Sequence, residues 1–265
     1  MFAIKFANKL LKILRYSSEN RAKYLIPLFS KKIEVSRTPI CLKATDDEDL
    51  KSIYHLVPNA LYGSCVCDNE ITEEYDLQII VPVYKVEQYI EDCMESIVNQ
   101  QTKYKFLVVV INDGSPDGSR EKLRKYEGLD NVVIIDQKNR GFSGARNTGL
   151  KHIKAKYVTF VDSDDRMMPG AIEAMMKEAM DQDADIVEGS YKTFCNGEEH
   201  EGSRHEYAVT AKWLGQLTGY PWGKVKRSSL FQHLCLPEGY WFEETMFSFL
   251  LYEQGKKFVT IPDEV

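Results

Sequence analysis

From Asp76 onwards the chain alternates between short runs of aliphatic, mostly β-branched residues and longer stretches whose apolar positions recur every three or four residues. The runs Gln78–Val83, Phe106–Asn112, Val132–Asp136, Tyr157–Asp162 and Ile186–Tyr191 read as strands, because unbroken branched runs of this length suit a pleat buried on both faces. Between them, Val86–Asn99, Gly118–Tyr126, Ser143–His152 and Gly170–Asp181 read as helices. In the first of these Ile90, Cys93, Met94 and Ile97 share a face. Regular alternation of strand and helix demands crossover connections, so the pattern predicts an α/β fold, Rossmann-like, with a mostly parallel central sheet and helices on both faces. Ligands of such sheets sit at the carboxyl ends of the strands.

Upstream the pattern is different. Residues 38–75 are acidic and largely polar, with Thr45 before Asp46-Asp47-Glu48-Asp49 reading as an N-cap and a charged first turn, and they are assigned to a connector. Residues 1–37 form a basic helical extension, and 76–265 the main domain. On a helix over 2–15, Lys5, Lys9, Lys12 and Arg15 fall in one arc, while Phe2, Ile4, Phe6, Leu10, Leu11, Ile13 and Leu14 occupy the rest. Such a face suits peripheral contact with an anionic membrane or packing on the protein's own core, and both readings stay open.

Charge sharpens this division. The formal net charge of −6 combines nine basic and two acidic side chains in residues 1–37, a balance of +7, with −13 for the remainder. An acidic body excludes non-specific nucleic-acid binding, which relies on Lys and Arg neutralising phosphates. No apolar run is long enough to span a bilayer, and the interleaved lysines break the core that a signal peptide needs. Six cysteines in 265 residues read as reduced, mostly buried thiols. The expected location is the cytoplasm, at the inner face of the cell membrane if the N-terminal helix binds lipid.

The chemistry gathers where the strands end. Strand one runs into Pro82-Val83-Tyr84, strand two into Asn112-Asp113-Gly114-Ser115, and strand four into Asp162-Ser163-Asp164-Asp165. Three carboxylates within four residues repel one another, so a cation is their natural partner. Oxygen ligands select hard ions such as Mg2+ or Mn2+, which keep water or phosphate oxygens in their remaining positions. The segment from Gly141 to Gly149 is a glycine-rich entry into a helix, whose N-terminus favours anions, and Arg146 within it can fork onto phosphate or a base edge. It has neither the glycine spacing of a dinucleotide-binding turn nor the lysine of a P-loop, which disfavours a hydride-transfer cofactor. Later, Glu243-Glu244 opens a helix and offers a general base.

Taken in order, Ile79-Ile80-Val81-Pro82-Val83-Tyr84, Asn112-Asp113-Gly114-Ser115, the Gly-x-x-x-Ala-Arg-Asn-x-Gly segment, Asp162-Ser163-Asp164-Asp165, Trp222-Gly223-Lys224 and Glu243-Glu244 resemble glycosyltransferase family 2, of the GT-A fold. The resemblance covers about residues 76–262. It implies metal-dependent transfer of a sugar, with inversion, from a nucleoside diphosphate donor, usually a uridine one, to a hydroxyl of a glycan or lipid-linked acceptor. Carried onto this chain, it puts Pro82, Tyr84, Glu87, Asp113, Arg146, Asp162 and Ser163 at the nucleotide sugar, with Trp222 and Lys224 on the diphosphate and acceptor side. Asp162 and Asp164 become the DXD motif that holds Mn2+ or Mg2+. Glu244 stands where the family has its Asp base and is assigned that role, with Glu243 as the alternative. Family members commonly continue beyond the strand matching Lys257–Ile261, so the chain reads as one cut short of the family's usual C-terminus.

Overall fold

The computed structural model describes residues 67–195, 198–212, 217–238, 247 and 251–265. The basic extension over 1–37, the connector up to residue 66, Glu243 and Glu244 lie outside the described residues. In chain order the elements are β1 (Glu70–Val83), α1 (Ile90–Val98), β2 (Phe106–Asn112), α2 (Ser119–Leu123), β3 (Val132–Asp136), α3 (Gly141–Leu150), β4 (His152–Phe160), α4 (Ala171–Asp181) and β5 (Ile186–Ser190). A hairpin of β6 (Lys192–Cys195) and β7 (Glu198–Glu201) follows, then β8 (Ala208–Thr210), β9 (Lys224–Arg227) and β10 (Phe258–Glu264).

Eight strands form one sheet in the order β3-β2-β1-β4-β9-β5-β10-β8. The pairs joining β1 to β2, β1 to β4, β2 to β3 and β5 to β10 are parallel, as the strand and helix alternation requires. β1 lies inside the sheet and its side chains divide by parity. Leu77, Ile79, Val81 and Val83 join α1 and α4 in one core layer, and Ile80 joins Ala145 and Leu150 of α3, with Phe160, Phe231 and Phe247, in the other. Two faces are therefore buried, which accounts for the unbroken apolar runs. Gln78, fully buried mid-strand, is satisfied by donating to the Gly149 carbonyl and accepting from the Lys154 amide. Gly149 has a packing reason to be glycine: a Cβ there would lie 2.6 Å from Ile80 Cγ2.

The helix read over Val86–Asn99 starts only at Ile90, that over Gly118–Tyr126 is α-helical only to Leu123, and three further departures bear on the site. β1 starts at Glu70 and not Gln78, because the exposed Glu70 and the half-buried Ile71 pair with His152 and Ile153 of β4. A strand specified by its partner and not by burial leaves no apolar run to read. β4 correspondingly begins at His152, which ends α3 two residues early, and it closes at Phe160, so Asp162 stands in the turn beyond the sheet. The segment after Trp222, which reads in the sequence only as an amphipathic stretch, is β9, inserted antiparallel between β4 and β5 with both of its lysines fully buried. Among the described residues no helix is long and apolar enough to cross a membrane.

Candidate active site

The loops after β1, β2 and β4 meet at one edge of the sheet. Beyond β1, Tyr84 is exposed and Lys85 takes the left-handed conformation, φ 57°, uncommon for a residue with a side chain and here braced by Ser115 Oγ accepting the Lys85 amide at 3.3 Å. Beyond β2, Asn112 donates to Asp136 Oδ1 at 2.8 Å and accepts the Ser115 amide, closing the turn that carries Asp113. Gly114, φ 68°, passes so near the Asn139 amide that a Cβ would sit 3.1 Å from its nitrogen. Asp113 is 2% exposed. Its Oδ1 accepts from Gln137 Nε2 at 2.7 Å and from the Arg140 amide at 2.9 Å, while the buried Oδ2 has no partner among the described residues.

These loops enclose an open cleft of about 430 Å³. Pro82, Tyr84, Asp113, Arg146, Asp162, Ser163 and Asp164, seven of the positions carried over from the family resemblance, line it together with Asn139, Gly141 and Phe142. Arg146 projects from α3, almost fully buried, with its guanidinium carbon 5.8 Å from the Phe142 ring centre and 5.9 Å from that of Phe160. Its Nη2 lies 2.5 Å from Asp162 Oδ1, a charge-assisted contact that fixes one carboxylate of the acidic turn. The turn nevertheless keeps surplus negative charge. Asp165, outside the cleft lining, has its carboxyl pushed up to about 6 by desolvation first and by Asp162 and Asp164 next.

Whether these residues suit a metal turns on the donor set. Among the described residues no three His, Cys, Asp or Glu side chains converge as a group able to hold an ion. Asp162 is half claimed by Arg146, and Asp164 is exposed at the cleft. Such a pair fits a hard cation that takes part of its shell from diphosphate oxygens and water, and it does not fit a closed structural site.

Three carried-over positions stand elsewhere. Glu87 is exposed and accepts the Gly118 amide at 3.0 Å, capping the start of α2 outside the cleft. Trp222 is beside the cleft and not in its lining; it bridges to Phe160 at the end of β4 and stacks on Tyr220, ring centres 4.8 Å apart and planes within 7°. Lys224 points into the protein, 3.0 Å from Glu188 Oε1, with both side chains 1% exposed, and so makes no contact with the cleft. Placing Lys224 on the diphosphate and acceptor side takes a lysine to be solvated, whereas its place on the inserted strand β9 turns it inward. Lys226 escapes a reading of the sequence for the same reason, since only the strand pairing shows that it is interior. Asn147 enters that reading only as part of a motif. Its side chain clasps Leu236, donating to the carbonyl at 2.8 Å and accepting the amide at 2.7 Å, and Glu238 beyond it pairs with Arg140.

The profile of glycosyl transferase family 2 matches residues 78–238, the span that carries the cleft, the acidic turn and β9. The chain belongs to this family. Glycosyltransferase GlyA of Streptococcus pneumoniae serotype 4 is 42% identical over 123 residues, 46% of this chain and 18% of that protein. The minor teichoic acid biosynthesis protein GgaB of Bacillus subtilis is 37% identical over 113 residues, 41% of this chain and 12% of that protein. This family 2 chain thus spans well under half the length of those two relatives. Among solved structures, S. aureus TarS residues 1–349 in complex with UDP-GlcNAc superposes with a TM-score of 0.62 at 24% identity, over 71% of this chain and 56% of that one. The likeness shows the fold, the GT-A arrangement of sheet and helices.

Proposed function

We propose that this family 2 chain carries the catalytic domain of an inverting glycosyltransferase that moves a sugar from a nucleoside diphosphate donor, a UDP-sugar, to a hydroxyl of a glycan or lipid-linked acceptor in bacterial surface polysaccharide synthesis. The observation that supports it best is the pairing of opposite needs in one cleft. At one end the buried Asp113 Oδ2 requires a donor, which a base N–H or a ribose hydroxyl supplies, since an unpaired buried acceptor costs about 1–3 kcal/mol. At the other, Asp162 and Asp164 require a cation, and the N-terminus of α3 favours phosphate. A nucleoside diphosphate together with a divalent metal ion meets all three. Asp164 and Asp162 would hold Mn2+ or Mg2+, which offsets charge on the departing nucleotide. Arg146 keeps Asp162 oriented, Pro82 and Tyr84 flank the nucleotide, and Glu244, or Glu243, takes the acceptor's proton.

GgaB's teichoic acid role and TarS's recorded complex with UDP-GlcNAc make a uridine donor and a surface-polymer acceptor the first to try. The work would be done in the cytoplasm, and the basic and apolar side chains of residues 2–15 would bring the enzyme to the membrane face. The test is release of nucleoside diphosphate from a panel of nucleotide sugars with and without Mn2+. Metal-dependent release of UDP from one donor is expected. Release of pyrophosphate, or no thermal stabilisation by any nucleotide with Mn2+, overturns the reading.

A further inference from the structure

The loop from Thr218 to Gly223 is gripped from behind by side chains that no solvent reaches. Glu188 accepts the Thr218 amide and, at 2.5 Å, its hydroxyl. Tyr252 donates to the Thr218 carbonyl at 3.2 Å and towards that of Tyr220 at 3.4 Å. Lys224 donates to Thr218 Oγ1 at 2.8 Å and to the Trp222 carbonyl at 3.2 Å, and Lys226 donates to the Pro221 carbonyl at 2.5 Å. Buried polar groups thus hold the loop at Thr218, Tyr220, Pro221 and Trp222. On its outer side the loop presents the stacked Tyr220 and Trp222, with Tyr191 edge-on to Trp222 at 4.8 Å. The donor cleft covers the ends of β1, β2 and β4, and this stack continues the same edge past the end of β4, since Trp222 bridges to Phe160, two residues before Asp162.

Lys226 is the unusual member. It is fully buried, its Nζ lies 5.2 Å from the Phe160 ring centre and 5.4 Å from that of Phe247, and no carboxylate pairs with it among the described residues. A buried ammonium is costly, so against the hydrogen bond to Pro221 stands a desolvation penalty that a methionine of similar shape would not carry. Burial, then the charges of Lys224 and Arg146, drive its pKa well below the ordinary lysine value, and its Nζ donates one directed hydrogen bond, to the Pro221 carbonyl.

We propose that Lys226 is a positioning residue for sugar transfer, whose Nζ fixes the Pro221 carbonyl and through it the Tyr220–Trp222 stack beside the acidic turn. The proposal rests on the function given above only for what the stack serves; the mechanical part stands alone. Lys226→Met separates the two. Hydrogen exchange should quicken at least tenfold in the amides of residues 218–220, 222 and 223 and stay unchanged elsewhere, while the melting temperature holds or rises. UDP affinity with Mn2+ should stay within twofold and transfer turnover fall at least tenfold. Lys226→Gln, which restores an uncharged donor, should recover part of both losses. Unchanged exchange in the loop overturns the mechanical claim whatever the turnover. Turnover within twofold of wild type overturns the catalytic one, as does a loss of turnover matched by loss of stability. Should Lys226→Met fail to fold, Tyr220→Ala on the exposed side tests the catalytic claim by the same turnover criterion. A wild-type protein that binds no UDP refutes the donor assignment and leaves the exchange result to decide the grip.

Discussion

Around the ends of β1, β2 and β4, Asp113, Asp162 and Asp164 face a cleft with an unfilled acceptor and surplus negative charge, whereas behind β5 and β9 the ionisable side chains of Glu188, Lys224 and Lys226 are enclosed and hydrogen-bonded to protein. Both regions collect ionisable groups near the carboxyl edge of one sheet. In the first the protein leaves valences open, which makes sense only if a ligand closes them. In the second it closes them itself, and the charges serve as framework. Substitutions in the two regions should therefore fail differently: the first should lose binding and turnover with the fold intact, the second should lose stability or loop order with the cleft intact.

The largest effect belongs to the open region. Asp164 is exposed and engages no cation among the described residues, so Asp164→Ala should leave the melting temperature nearly unchanged while metal-dependent transfer falls about 1,000-fold, on the order of 4 kcal/mol of barrier. Removing the metal with a chelator should do the same to wild type and nothing further to the variant. Additional loss on chelation would show that other groups hold the ion. Next comes Glu188→Gln in the closed region, which strands Lys224 without its counter-charge and should cost about 3 kcal/mol in urea unfolding. At present Lys224, His205 and Thr218 together outweigh burial and hold Glu188 below the usual carboxylate range. UDP affinity should not move; a parallel loss of affinity would erase the distinction between the regions.

The open region is legible in the sequence and the closed one is not, for a physical reason. Pro82, Asp113 and Asp162 follow apolar runs that could only be buried parallel strands, and the ends of such strands share an edge, so their meeting follows from chain order. Lys224-Val225-Lys226-Arg227 carries no comparable signal. Three cations in four residues look solvated until β4 and β5 are seen to flank them, and those strands are far away in the chain. Glu70 and Ile71 are hidden likewise, because pairing with β4 and not hydrophobicity makes them a strand. Trp222 carries a motif signal, yet its bridge to Phe160 cannot be inferred without β9.

A smaller effect tests how the cleft treats its base. Asp113→Asn keeps an oxygen for Gln137 and the Arg140 amide but puts an NH2 where Oδ2 was, so a donor on the ligand would meet a donor on the protein. UDP affinity by calorimetry should weaken about 30-fold, roughly 2 kcal/mol, with stability little altered. Unchanged affinity would place the nucleotide away from Asp113.

The smallest effect reports on the closed region through pH. A lysine whose pKa is depressed in the folded protein takes up its proton only on unfolding, in the window between that depressed value and about 10.4, so the unfolded state holds more protons there and stability rises with pH. Lys226 supplies this slope and Lys226→Met removes it. Lys224 and Arg146 face Lys226 with like charge and Glu188 with opposite charge, and all three are present in both proteins. The stability of Lys226→Met relative to wild type should therefore be greatest at low pH and shrink as the pH rises towards the ordinary lysine value, read from urea unfolding at each pH. A gap that stays flat would mean that Lys226 keeps its proton inside the fold, in which case the grip on Pro221 is an ammonium's and some group must balance its charge.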